Sequence, residues 1–243
     1  MNFYPIFWKE MVLIRRKPRR FLASSMVMPL LYLVTFGWGL GRGIRLDGGT
    51  YLEFVLPGII ALSAMNNSFS PVSTSLNISK LYTKTIEEVL VSPVSPWEIA
   101  FGRALTGLVR GMFSAVGLLL VGLASGVHLQ VSALFFAVIA LTAFCFGSMG
   151  VAAAMVTRSH EDMANFNSFF MVPMSFLAGT FFAPDRMPEP FSSMIMVFPL
   201  THASLSLRAL AAGSAPDAIS LLILSAYTVI FFILAGRLLR RLA

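Results

Sequence analysis

Charge is what this sequence has least of. Asp, Glu, Lys and Arg make up 12% of its 243 residues, about half of the roughly 25% usual in a soluble domain. Hydrophobic residues make up 57%, so an ordinary soluble fold is excluded and a membrane protein is indicated. Cysteine is nearly absent: Cys145 stands alone in an apolar run, which excludes an intrachain disulfide framework and reads as a small buried hydrophobe. Other absences remove whole chemistries. Without a G-x-x-x-x-G-K-[ST] segment the chain has no P-loop of its own for ATP. The glycines of "GWGLGRG" (Gly37 to Gly43) end an apolar run, not a strand, so a dinucleotide reading fails. His160-Glu161-Asp162 lacks the second histidine of a zinc-protease motif, and His128, His160 and His202 are too scattered to hold a metal. No metal site, nucleophile–base set or other catalytic residue is assigned.

What is present is a series of apolar runs. A hydrocarbon core about 30 Å thick needs roughly 20 apolar helical residues, and Phe21–Leu40, Phe54–Ser79, Gly102–Ala124, Val131–Val156, Met163–Ala183 and Ala218–Arg237 meet that length. The first run shows no clear cleavage site after its basic flank, so it reads as a retained span. The segment 188–212 also holds an apolar stretch, but Pro199, Thr201, His202, Ser204, Ser206 and Arg208 interrupt it.

Basic residues set the topology, because cytoplasmic flanks are rich in Lys and Arg. With six spans and a cytoplasmic N-terminus, Lys9, Arg15, Arg16, Lys17, Arg19, Arg20, Lys80, Lys84, Arg103, Arg158, Arg237, Arg240 and Arg241 fall inside. Only Arg42, Arg45, Arg186 and Arg208 fall outside. The net charge of +7 therefore reads as membrane topology, not nucleic-acid binding. Both termini are expected in the cytoplasm, and 188–212 reads as a re-entrant or interfacial hairpin on the outer side. Residues 1–20 repeat Phe3, Ile6, Phe7, Met11 and Ile14 at helical spacing before a basic cluster, the pattern of a helix lying against anionic headgroups.

Three segments stand out. "TIEEVLVSPVSPWEIAFGR", Thr85 to Arg103, contains two capping boxes, Thr85/Glu88 and Ser95/Glu98, the second with Pro96 at the first helical position. It predicts a short cytoplasmic helix, a sharp turn at Ser92-Pro93 and a fresh start into the third span. It is either a well-capped loop or a rigid docking knob, with Val89, Leu90 and Val91 as apolar contacts. "MVPMSFLAGTFFAPDRMPEPFSSMIMVFPLTHASLSLRAL", Met171 to Leu210, breaks the backbone at membrane depth, which is tolerated only under protein cover or beside a water-filled cavity. That predicts an outer gate, or a plain external loop. In the second span, Ser63, Asn66, Ser70, Ser73 and Asn77 fall on one helical face, for packing or for lining a path, and Pro57 and Pro71 are candidate kinks. Arg110 either snorkels to the inner surface or pairs inside the bundle; Gly107 and Gly111 beside it suit close helix contact.

On these residues the chain resembles the membrane subunits of type-2 ATP-binding cassette exporters over nearly its whole length. "EEVLVSPVSPWEIAFGR" and "PMSFLAGTFFAPDRMPEPF…FPLTHASLSLRAL" carry the resemblance, which is nearest to the nodulation-factor and drug export permeases. It implies an all-α integral membrane protein with a single permease domain over 1–243. That domain holds an interfacial helix at 1–20, transmembrane helices at 21–40, 54–79, 102–124, 131–156, 163–183 and 218–237, a coupling helix at 85–91 and a re-entrant segment at 188–212. It implies a non-catalytic subunit of the bacterial inner membrane that pairs as a homodimer among membrane lipids. Two copies of a separate ABC ATPase would bind ATP and Mg, and this chain no cofactor. The ATPase contacts it implies are Thr85, Glu87, Glu88, Val89, Leu90, Ser92 and Pro93. The path candidates are Ser63, Asn66, Ser70, Ser73, Asn77 and Ser175, and those for the outer gate are Phe181, Phe182, Phe191 and Pro199. The cargo would be an amphipathic, drug-like or glycolipid-like molecule, and the short external loops leave no substrate-selecting external domain. An ion-gradient-driven transporter is the alternative, opposed by the lack of a carboxylate in any span; a lipid-acting membrane enzyme ranks below it.

Overall fold

A backbone this apolar satisfies its own hydrogen bonds most completely as helix, and helices account for nearly all of the fold. The computed structural model describes residues 4–16, 18–40, 45–46, 49–182 and 188–242. Helix α1 (Tyr4–Arg16) precedes α2 (Pro18–Tyr32), which continues as a π-helical stretch, Leu33–Leu40. A two-residue ladder the sequence did not suggest follows, β1 (Arg45–Leu46) antiparallel to β2 (Gly49–Thr50). Then come α3 (Tyr51–Leu81), α4 (Thr85–Val91), α5 (Pro96–Ala124) and α6 (Ala133–Val156). A composite helix is built from α7 (His160–Phe166), a π stretch (Asn167–Met171) and α8 (Val172–Leu177). Short α9 (Phe191–Ile195), α10 (Pro199–Ala211) and α11 (Ala218–Arg240) complete the chain.

By length and apolarity α3, α5, α6 and α11 are each able to cross a bilayer. Their starts are written locally. Thr50/Glu53 and Ser95/Glu98 form closed capping boxes on α3 and α5, Ser132 caps α6, and the Asp217 carboxylate accepts from Ile219 and Ser220 N–H on α11. Helix α3 runs unbroken through Pro57 and Pro71.

The composite helix departs from the expected bounds 163–183: it ends at Leu177. Gly179 takes φ +68°, a left-handed conformation that only glycine enters without strain, and its N–H turns back to the Leu177 carbonyl at 2.7 Å. Residues 183–187 of the turn that follows, Arg186 among them, lie outside the described residues, as does Arg42.

Helix α3 is the axis of the bundle, packed by α5, α6 and α10. Leu56, Ile59, Ile60, Leu62, Met65 and Phe69 are fully buried along it. At Gly107 a Cβ would stand 2.9 Å from the Gly147 Cα and 3.1 Å from the Ser68 carbonyl oxygen; at Gly111 it would stand 2.7 Å from the Ala143 Cβ. The two glycines thus let α5 touch α3 and α6 backbone to backbone. By contrast, α11 leaves Ile219, Leu222, Val229 and Ile230 more than half exposed, a surface suited to lipid or to another chain.

Candidate functional site

Helix α4 sits just after α3 and packs on it. It does not start as its sequence suggests: its N-cap is Lys84 in the left-handed region at φ +52°, with no side-chain cap. The Thr85 hydroxyl lies 3.1 Å from that of Thr83, so the Thr85/Glu88 box does not close. The Ser95/Glu98 box does, with Glu98 accepting from Ser95 N–H at 3.2 Å. Ile86 is buried, Val89 and Leu90 are half-buried against the core, and Ser92 Oγ donates to the Val89 carbonyl at 2.6 Å. Val89 and Leu90 therefore back the helix with part of their surface and leave part of it open. What faces outward is Glu87, Glu88, Val91 and Pro93. Trp97 locks the following turn onto the last helix, its ring 6.0 Å from that of Phe232 and against Gly236.

The polar face of α3 divides into two kinds of residue. Ser63, Ser73 and Asn77 are buried and bonded: Ser63 to Ser114 Oγ at 2.6 Å, Ser73 to the Ser70 carbonyl, and Asn77 to Thr157 Oγ1 at 3.2 Å. They pack helices together, although Ser63 also touches a cavity of about 250 Å³ between α2, α3 and α5. Asn66 and Ser70, half-buried, line that cavity with Tyr32, Ile59, Leu62 and Arg110. Ser175 is buried and donates to the Met171 carbonyl within its own helix.

Arg110 does not snorkel. Glu10 of α1, 6% exposed, reaches into the bundle and meets Arg103 at 2.7 Å and Arg110 at 3.7 Å. Helix α1 is thus pinned to α5 by a buried acid, not merely laid on a surface. Sequence reading passed over Glu10, yet the signal existed: it interrupts the apolar stripe of Ile6, Phe7 and Ile14 at helical spacing, and Arg103 and Arg110 lie two turns apart.

At the two ends of α3 a basic side chain grips backbone carbonyls. Lys80 Nζ donates to Met155 O at 2.7 Å, Thr157 O at 2.9 Å and Ala154 O at 3.4 Å, where α6 ends. Beside it, the Arg158 backbone N–H, 2.8 Å from Asp162 Oδ2, and the Ser159 hydroxyl hold the Asp162 carboxyl below its usual range. At the other end Arg208 of α10 is no flanking charge. Its guanidinium donates to Phe54 O at 3.0 Å, Gly179 O at 2.6 Å and Thr180 O at 2.8 Å, and lies 3.9 Å over the Phe54 ring.

The gate candidates do not share one environment. Phe181 is half-buried against Tyr32, ring centroids 5.7 Å apart, and its carbonyl accepts from Tyr51 OH at 2.9 Å. Phe182 is also half-buried, Phe191 is exposed, and Pro199 is buried at the start of α10.

Residues 1–211 match the sequence profile of the ABC-2 type transporter family. The chain belongs to that family. It is similar to nodulation protein J of Rhizobium meliloti, 29% identical over 238 residues that cover 96% of this chain and 88% of that protein. It is similar to the inner membrane transport permease YadH of Escherichia coli, 26% identical over 226 residues, 90% of this chain and 87% of the other. Nodulation protein J of Rhizobium leguminosarum bv. viciae is 27% identical over 233 residues. Membership makes the chain a multi-pass membrane subunit of an ABC transporter, a family that works with an ABC ATPase. On such a permease the features above fall into two candidate sites: the outward face of α4, and the cavity beside Asn66 and Ser70.

Proposed function

We propose that this permease is one half of a homodimeric exporter of the bacterial inner membrane, with six spans and both termini in the cytoplasm. The stretches 21–40 and 163–177 of the two composite helices are the first and fifth spans, and α9 with α10 is the re-entrant pair. A separate ATPase docks on α4 of each copy and binds the ATP and Mg, and this chain binds no cofactor. Closure of the two ATPases pushes on α4 and opens the path on the opposite side. The observation that carries the reading is the backing of α4. Its outward Glu87, Glu88 and Val91 stand on buried Ile86 and half-buried Val89 and Leu90, and the Ser95 box and Trp97 fix the turn that follows. A loop that transmits force has to be stiff, and this one is. The cargo is amphipathic, drug-like or glycolipid-like, in keeping with a mainly apolar cavity that offers Asn66 and Ser70. The outer gate rests on Phe181 and Phe182 beside the Arg208 clasp.

Co-expression with the cognate ATPase tests the docking. Glu87→Lys with Glu88→Lys should abolish co-purification while leaving the melting temperature unchanged; undiminished capture overturns the assignment. Transport that persists without the ATPase and collapses with the proton gradient would instead establish the ion-driven alternative.

A further inference from the structure

Helix α11 ends in three arginines that no other part of the described fold engages. Arg237, Arg240 and Arg241 are exposed, and among the described residues none of them has an ion pair or a side-chain hydrogen bond. The helix dipole favours a cation in a last turn, but it does not choose a face. These three share one, because residues three and four apart are neighbours on a helix.

The same face is apolar further in. Ile230, Leu234, Arg237 and Arg241 fall within about 60° of one another around the helix, and Ile230 and Leu234 are exposed. From Ile230 to Arg241 the stripe runs about 16 Å, close to one leaflet of a hydrocarbon core about 30 Å thick. It is thus apolar at depth and cationic at its edge.

Trp97 of α5 closes one side. Its ring lies against Gly236 and 6.0 Å from that of Phe232, and Arg240 follows Gly236 by one turn, between Trp97 and the stripe. The indole is 36% exposed, and among the described residues its N–H has no acceptor. A half-exposed tryptophan with an open N–H suits the headgroup level of a bilayer. Glu98, the next residue, is engaged in capping α5, where it accepts from Ser95 N–H at 3.2 Å. The opposite end of α11 starts at Asp217 and has no basic residue in its first turn, so only one end of this helix attracts an anion.

We infer that the α11 stripe beside Trp97 is a binding site for an anionic phospholipid, its phosphate at Arg237, Arg240 and Arg241 and an acyl chain along Leu234 and Ile230. A phosphodiester offers two oxygens that the planar fork of a guanidinium takes together, and the indole N–H is a further donor. Phosphatidylcholine brings the same phosphate with a choline cation, which three arginines oppose. Each arginine near a membrane surface favours an anionic lipid by roughly fivefold. With the C-terminus in the cytoplasm, as proposed above, the lipid belongs to the inner leaflet; the site itself does not depend on that orientation.

Trp97 is its own reporter. The full chain with Trp8→Phe and Trp38→Phe is placed in phosphatidylcholine nanodiscs, which expose both leaflets and contain no ATPase, so failure of the docking proposal leaves the outcome intact. Phosphatidylglycerol brominated near the headgroup end of its chains should quench Trp97 at a mole fraction at least about tenfold below that needed with phosphatidylcholine brominated alike. Arg237→Gln with Arg241→Gln should remove most of that preference. Arg15→Gln with Arg16→Gln, an equal loss of charge on α1, should leave it within about twofold. Native mass spectrometry of the chain with all its tryptophans, comparing retained phosphatidylglycerol with phosphatidylcholine, repeats the comparison without the two replacements. Equal quenching by the two lipids overturns the inference. So does an equal loss in the two double variants, which means diffuse attraction to the whole basic surface. Trp97 fluorescence insensitive to either lipid overturns it as well, because another chain then covers the stripe.

Discussion

Two basic residues hold the ends of the central helix, and they do so differently. Lys80 joins α3 to the last turn of α6, where carbonyls without intrahelical partners and the negative end of the helix dipole already favour a cation. It is helped there by the bond from Asn77 to Thr157. Arg208, about 40 Å away along α3, joins three segments that nothing else described holds in the same way: α10, the bend after α8, and the first turn of α3. A lysine is a point charge suited to one cluster of acceptors. An arginine is a fork, able to bridge acceptors on separate pieces of chain. The end that carries an irregular backbone is the end that uses the fork.

The comparison can be broken most directly at Arg208. Arg208→Ala leaves three carbonyls without their charged donor and should cost about 3–5 kcal/mol, on the basis of about 1–3 kcal/mol for each unsatisfied buried group. Thermal unfolding in detergent should show it, and Arg208→Lys should restore only part of the loss because an ammonium cannot span the same acceptors. Gly111→Leu, midway between the clasps, should cost about 1–3 kcal/mol by overpacking against Ala143 and Ala64, and a stability change near zero would mean that the backbone contact of α5 with α3 is wrong. Lys80→Ala should cost about 1–2 kcal/mol, less than Arg208→Ala because Asn77 remains. Because the sites are far apart, the double variant should equal the sum within about 0.5 kcal/mol. The capping prediction is the smallest. Ser95→Ala should cost about 1 kcal/mol, whereas Thr85→Ala should stay within about 0.5 kcal/mol, since its box is open.

Acid sharpens the view of the Lys80 end. The Asp162 carboxyl is held below its ordinary range, so its contribution is present above the ordinary carboxylate pKa of about 3.9. It is lost as pH falls through the lower folded value. Asp162→Asn should flatten that acid limb in unfolding measured across pH, and an unchanged limb would remove Asp162 from the account.

Much of the fold was legible in the residues. The long apolar runs indicated which segments are helices, and the box at Ser95/Glu98 placed the start of α5 correctly. The Thr85/Glu88 box does not form because the helix begins one residue earlier than that pattern requires, with Lys84 as the cap and Thr85 already inside it. The fifth helix ran short of its apolar run because Gly179 turned, and hydropathy does not register a left-handed glycine. The polar stripe stayed open between packing and lining for a related reason: periodicity gives a face but not what lies opposite it, so bonded Ser63, Ser73 and Asn77 look the same in the sequence as Asn66 and Ser70.

Composition and periodicity alone determined that this chain is helical and membrane-embedded, because a segment's apolarity and caps act within a few residues of one another. Only the tertiary structure decided what each charge does. Glu10 and Arg103 are 93 residues apart in the chain, and Arg208 and Phe54 are 154 apart. In a low-dielectric bundle a charge is defined by the partners that packing brings to it, and a linear sequence does not name them.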